Sequence, residues 1–234
     1  MTGTGRLGKH GRETRRSPVS LEKILFMVAV LCAITYLWQT TGPQSTVRSL
    51  TKTAAVALLA LAAAWAGAPL FLVLALAACA VGDFCLSRDG EASFMAGVGA
   101  FALGHLGYVA LFLGLTESNP VRLLQMPQVI VVVVLICIGG VMAVVLAPRA
   151  GALKGAVLCY IPIILGMGMA ALTVPVQGGL MFLLPAALLF ILSDMVLAAE
   201  TFVLKLDHPA RRVTPYVIWG TYWGAQVGFF STFA

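Results

Sequence analysis

The chain has 234 residues, 60% of them hydrophobic and 10% charged, with a mean hydropathy of +0.98 and a formal net charge of +6. A water-soluble domain of this length cannot bury so much apolar surface, so the composition excludes that class and leaves a multi-pass membrane protein. The basic excess does not point to nucleic acid, because no folded module accompanies it.

Residues 1–20 are Gly- and Arg-rich and hold Arg6, Lys9, Arg12, Arg15 and Arg16, with Lys23 just beyond. Without apolar periodicity, this stretch is expected to be a disordered basic tail lying near anionic lipid headgroups. "TRRSPVSLEK" has a twin-arginine look, but no small-residue cleavage site follows and the apolar run continues as an ordinary first span. Residues 21–234 then form the membrane domain.

Apolar runs long enough to cross about 30 Å of hydrocarbon fall at 21–38, 49–65, 68–87, 93–115, 127–147, 153–173, 180–204 and 213–232. Turn-like separators divide them, the weakest being "WAGAP". The fold class is therefore all-α: a polytopic membrane bundle of eight transmembrane helices with both termini on one side. Positive charge is nearly balanced across the two faces. Seven Lys and Arg residues lie on the terminal side and eight on the other, and the dense N-terminal cluster tips the orientation toward a cytoplasmic N terminus.

Polar residues are few and stand out. Lys52 opens the second span, and "VGDFCLSRDG" closes the third with Asp83 followed by Arg88. His105 and Tyr108 share a face of the fourth span, at i and i+3. The seventh span, "LLFILSDMVLA", holds Asp194 well inside its apolar run, and the eighth carries Tyr222 and Gln226 at i and i+4. Measured from the loops opposite the termini, Asp83 lies about 6 Å deep and Asp194 about 15 Å deep, at 1.5 Å per residue. Except for the deeper His105 and Tyr108, these groups occupy one half of the membrane. "GDFCL" and "SDMVL" match, and Lys52 and Lys154 each open the preceding span, which suggests a four-plus-four parallel repeat.

Each residue also has a structural reading. Asp83 can be an interfacial carboxylate neutralised by Arg88, Lys52 can snorkel from its helix start, and His105 can be a core histidine bonded to a carbonyl. Tyr108, Tyr222 and Gln226 can be interhelical hydrogen-bond donors and acceptors. Asp194, about two turns from its span end, is the hardest to explain without function. The five cysteines lie in apolar spans without metal-type pairing and read as packing residues, and a single intramembrane histidine argues against a metal site.

Two carboxyl groups in one low-dielectric cavity divide their protons unequally, which supplies an acid and a base together. No G-x-S-x-G elbow, H-E-x-x-H helix or P-loop is present, so serine, zinc and nucleotide chemistry lack a motif. A carboxylate pair suits hydrolysis through an oxocarbenium-like intermediate, as in glycosidases.

"AVGDFCLSRDGEASFMAGVGAFALGHLGYVALF" and "LLPAALLFILSDMVLAAETF" resemble the YhhN family, to which the animal lysoplasmalogenases belong. "SLTKTAAVALL", "GAVLCYIPIILGMGMAAL" and "YVIWGTYWGAQVGFF" extend the likeness over residues 48 to 232. Thr53 follows Lys52 where the family often has proline. The resemblance implies cofactor-free hydrolysis of the vinyl-ether bond of a lysoplasmalogen within the bilayer, giving a fatty aldehyde and a glycerophospho-base. It maps the recurrent polar positions to Lys52, Asp83, His105, Tyr108, Asp194, Tyr222 and Gln226.

On this reading Asp194 is the general acid, being the deeper and more desolvated, and Asp83, near water and Arg88, handles the attacking water. Lys52 pairs with Asp83 or the substrate phosphate, Tyr222 and Gln226 position the substrate, and His105 and Tyr108 brace the Asp83 helix. The rival classes are a transporter or flippase with intramembrane carboxylates and a non-catalytic lysolipid-binding protein. In a bacterium, the membrane expected is the plasma (inner) membrane.

Overall fold

The computed structural model describes residues 20–234 and turns the eight apolar runs into eight α-helices. They are α1 (Leu21–Gln39), α2 (Thr46–Trp65), α3 (Leu70–Leu86), α4 (Glu91–Leu113), α5 (Gln128–Leu146), α6 (Lys154–Leu172), α7 (Leu183–Phe202) and α8 (Thr214–Phe233). The basic tail expected over residues 1–20 lies, up to residue 19, outside the described residues. At "WAGAP" the break is made by Gly67, whose φ of +72° is closed to most side chains, and by Pro69 immediately ahead of α3.

Six of the helices have the length and hydropathy to cross a bilayer on their own account: α1, α2, α4, α5, α6 and α7. Helix α3 has 17 residues, about 26 Å at 1.5 Å per residue, and α8 is diluted by threonine, glycine and Gln226. Helix α3 packs against α2, α4 and α8 and keeps an exposed apolar face of Leu70, Phe71, Leu74, Val81 and Phe84, and α8 packs against α7, α2 and α1. The assembly is a multi-pass membrane bundle with the expected eight helices.

Helix packing follows one order in both halves. The chain runs α1 on α2, α2 on α3 and α3 on α4, then α5 on α6, α6 on α7 and α7 on α8; α4 against α6 and α2 against α8 join the halves. The match extends to single residues. Ala75 precedes Asp83 by eight residues and Ala186 precedes Asp194 by eight. A Cβ added at Gly107 would lie 3.1 Å from the Ala75 Cβ, and one at Gly228 would lie 2.8 Å from the Ala186 Cβ. In each half a glycine lets the fourth helix press against the third, the close approach on which helix association in lipid depends. Lys154, expected as the counterpart of Lys52, is instead an exposed residue at the start of α6.

An aromatic layer closes the middle of the bundle. Phe190, fully buried on α7, lies 4.4 Å from the His105 ring, 5.2 Å from Tyr222 and 6.3 Å from Tyr108. Such edge and tilted contacts fix ring orientations beyond what area burial alone achieves. Helix α1 is held to α8 by the Trp219 indole, which donates to the Ala33 carbonyl at 3.1 Å, and by Tyr36 against Trp219 at 4.4 Å. Helix α5, the most apolar, packs chiefly on α6 and only lightly on α7. That looseness leaves a cavity.

Candidate active site

The cavity has a volume of about 390 Å³ and lies toward the end of the bundle where α1 joins α2 and α7 joins α8. Thr40, Gln44 and Arg48 line its mouth, and Lys52, Asp83, Tyr160, Asp194 and Tyr222 line its polar wall. The opposing wall is apolar, with Ile138 and Met142 of α5, Leu165 of α6 and Met195 of α7. It is an amphipathic chamber on the side away from both termini.

The first carboxylate, Asp83, is fully buried and has two partners. The Lys52 ammonium stands 3.0 Å from Oδ1, and the Tyr222 hydroxyl donates to Oδ2 at 2.7 Å. A buried carboxylate is tolerable in such surroundings only when a counter-charge and hydrogen bonds replace its water shell. Three helices thus converge on Asp83. Lys52 additionally lies 5.9 Å over the Tyr36 ring, a cation–π contact that steadies its ammonium.

The second carboxylate, Asp194, has 15% of its side chain exposed, and it opens into the cavity. The Tyr160 hydroxyl donates to its Oδ2 at 2.5 Å, and His105 Nε2 lies 3.8 Å from the same oxygen. The other ring nitrogen, Nδ1, is 2.7 Å from the Phe101 carbonyl. A carbonyl only accepts, so Nδ1 carries the hydrogen and Nε2 of the neutral ring offers a lone pair toward Asp194. That nitrogen is buried without a hydrogen-bond partner of its own. At 3.8 Å that lone pair faces the Asp194 carboxyl without being hydrogen-bonded to it.

Burial reverses the expected order of the two aspartates: Asp83 is the sealed one and Asp194 the open one. Distance along the helix axis does not set burial here. Helices α2, α4 and α8 pack around α3, whereas α5 stands off α7.

The remaining sequence candidates divide. His105, on the helix that packs most closely on the Asp83 helix, turns its Nε2 toward Asp194 and its ring against Phe190. Tyr108 donates to Gln226 Oε1 at 2.5 Å, tying α4 to α8, and both side chains are fully buried outside the cavity lining. Gln226 thus has no access to a substrate in the chamber, which corrects the positioning role expected for it. Arg88 is exposed at the end of α3, with its guanidinium 4.6 Å over the Phe84 ring, and Lys52 takes the part assigned to it beside Asp83. Glu200 is tied to Thr214 and to Arg211, which also donates to the carbonyls ending α7. Tyr160 is the site residue that sequence reasoning passed over. Its only signal was a phenol inside an apolar span, two residues before Pro162. It is also the positional counterpart of Lys52, since each sits on the second helix of its half and reaches the aspartate of the third.

The YhhN family model matches residues 46–233, from the first residue of α2 to the last of α8, and the chain belongs to the YhhN family. This is a lysoplasmalogenase-like family associated with hydrolase activity. No curated protein and no solved structure matches the chain. The matched range carries both aspartates and all their partners, whereas α1 and its Tyr36 lie outside it.

Proposed function

We propose that this YhhN-family chain hydrolyses the vinyl-ether bond of a lysoplasmalogen, releasing a fatty aldehyde and a glycerophospho-base, with Asp194 as the acid. One observation carries the reading. An amphipathic cavity within the size range of small-molecule sites presents the partly open Asp194 carboxyl group, flanked by a phenol and a ring nitrogen, whereas the other partly open carboxylate, Glu200, is tied to Arg211 and Thr214. A single-chain lipid would lay its tail along the α5 wall and its polar end toward Arg48 and Lys52.

The chemistry balances with one water. Asp194 begins protonated, its carboxyl facing the lone pair of His105 Nε2, and delivers that hydrogen to the β-carbon of the enol ether, leaving an oxocarbenium ion. The Tyr160 hydroxyl, already donating to Oδ2, stabilises the carboxylate left behind. Water adds to the oxocarbenium carbon and gives its proton back to Asp194. The hemiacetal then breaks its carbon–oxygen bond to yield the aldehyde and the freed glycerol hydroxyl. Asp83 takes no proton in this scheme; its carboxylate holds the Lys52 ammonium and the Tyr222 hydroxyl against the chamber. In a bacterial host the membrane would be the plasma (inner) membrane.

Purified protein in detergent tests the reading with lysoplasmalogen as substrate and mass spectrometry of lipid and aldehyde as readout. Aldehyde should form in step with lysolipid loss, and Asp194→Asn should slow it by about a hundred- to ten-thousand-fold, the range for loss of general acid catalysis. A transporter or a passive lipid binder would leave the lipid intact, and an intact lipid after incubation with wild type would sink the proposal.

A further inference from the structure

Two cations line the cavity, Arg48 and Lys52, four residues apart on α2. Residues at this spacing share a helix face, separated by about 6 Å along the axis. Lys52 is committed to Asp83. Arg48 has no carboxylate within 4.0 Å among the described residues. Its side chain is nevertheless held firmly. Nη2 donates to the Thr40 carbonyl at 2.9 Å, and the guanidinium lies 5.7 Å from the centre of the Tyr36 ring. Its backbone N–H donates to the Ser45 hydroxyl that caps α2. Nε is buried without an acceptor.

A guanidinium has five N–H donors in a planar fork matched to oxyanions. One is used by Thr40, and the fork stands in the wall of the chamber with its charge uncompensated. The other carboxylate at that end of the chamber, Glu200, is engaged by Arg211 and Thr214. We propose that Arg48 is an anion subsite that binds the phosphodiester of an amphiphilic substrate. The assignment deepens the hydrolase reading and rests on it for the identity of the lipid. A phosphodiester at Arg48 would leave the sn-1 ether of the same glycerol within about a helical turn of the Lys52 level, in the chamber that Asp194 also lines. Specificity for phosphorylated lysolipids over uncharged alkenylglycerols is then set by one residue.

Binding can be measured without turnover by using saturated alkyl-ether analogues, which lack the double bond to be protonated. Thermal shift and intrinsic tryptophan fluorescence give affinities for 1-alkyl-lysophosphoethanolamine, for 1-alkylglycerol and for glycerophosphoethanolamine. Wild type should prefer the phosphorylated lipid over alkylglycerol by about tenfold or more, the scale of one charge-assisted contact. Arg48→Gln should bring the two affinities together by weakening only the phosphorylated lipid, and Arg48→Lys should restore part of the gap. A preference that survives in Arg48→Gln, or an equal loss for both lipids, would overturn the subsite. Glycerophosphoethanolamine binding as tightly as the lipid would make the ligand a free phosphodiester and also overturn the lipid assignment. An inactive wild type that still shows the Arg48-dependent preference would sink the hydrolase reading and leave the subsite standing.

Discussion

His105 Nε2 stands 3.8 Å from Asp194 Oδ2, while the opposite nitrogen of the same ring is fixed 2.7 Å from the Phe101 carbonyl. The backbone of α4 thereby selects the tautomer that faces the cavity carboxyl from α7. His105→Phe keeps the ring plane against Phe190 and removes both nitrogens. Its kcat should fall by about a hundredfold or more, with a melting temperature close to that of wild type because the aromatic packing survives. Activity within about threefold of wild type would remove His105 from the proton path.

Tyr160→Phe deletes one oxygen from the same cluster. A hydrogen bond to a charged group is worth about 1.5–3 kcal/mol, so kcat should drop by about ten- to a hundredfold. KM should change little, because the phenol acts on Asp194 and not on the lipid. A rise in KM with unchanged kcat would instead mark Tyr160 as a binding residue.

Asp83 should behave differently, through stability as well as rate. Asp83→Asn leaves the Lys52 ammonium facing a neutral amide in a low-dielectric wall. Losing one partner of a buried pair costs about 3–5 kcal/mol; Lys52 retains 18% side-chain exposure, which reduces this to about 2 kcal/mol. The Asp83→Asn, Lys52→Met double variant should regain much of the lost thermal stability and none of the activity. If the single variant melts like wild type, the pair is not structural, and Asp83 must be reconsidered as a base.

These residues differ in how legible they were in the sequence. A carboxyl group inside an apolar span has no inexpensive explanation, so Asp194 and Asp83 announced themselves, and their helical spacing placed them in one half of the bundle. Arg88 misled because it is near Asp83 in sequence. It lies two residues past the end of α3, exposed and stacked over Phe84, away from the buried carboxylate that Lys52 and Tyr222 reach from other helices. Tyr160 was hidden because tyrosine is ordinary in membrane spans, and only tertiary packing brings its hydroxyl to Asp194. The burial order of the aspartates depends on how far α5 stands from α7, a property of helix packing that no single span encodes. The likeness of "GDFCL" and "SDMVL" is legible in the sequence, but the matching contacts, Ala75 on Gly107 and Ala186 on Gly228, are recognisable only once the helices are in contact.

The apolar wall predicts chain-length selectivity. Ile138, Met142 and Met195 line the chamber and also a shallower apolar hollow on the outer side of α5, so the tail has a path between α5 and α7 toward lipid. Met142→Trp inserts a rigid ring in that path. It should lower kcat/KM for sixteen- to eighteen-carbon alkenyl chains by about tenfold, the scale of a few misplaced methylenes, and spare eight-carbon analogues. An equal loss for both lengths would place the tail elsewhere.

The chamber mouth predicts which face the headgroup comes from. Gln44 is exposed between α1 and α2 and lines the cavity, whereas Glu117 is exposed at the opposite end, after α4. Single cysteines at these two positions, in a background without the five native ones, allow labelling by an impermeant maleimide with and without the non-hydrolysable alkyl-lysophosphoethanolamine. A lipid whose phosphate sits one turn beyond Lys52 must lie across Gln44, so labelling there should slow by several-fold at saturating lipid while Glu117→Cys reacts at its unliganded rate. Protection at both positions would report a general change in helix packing and not occupancy. Protection at Glu117→Cys alone would put the polar end of the lipid on the terminal side, where Asp194 could not reach the ether, and the arrangement of tail, ether and phosphate along the chamber would have to be abandoned.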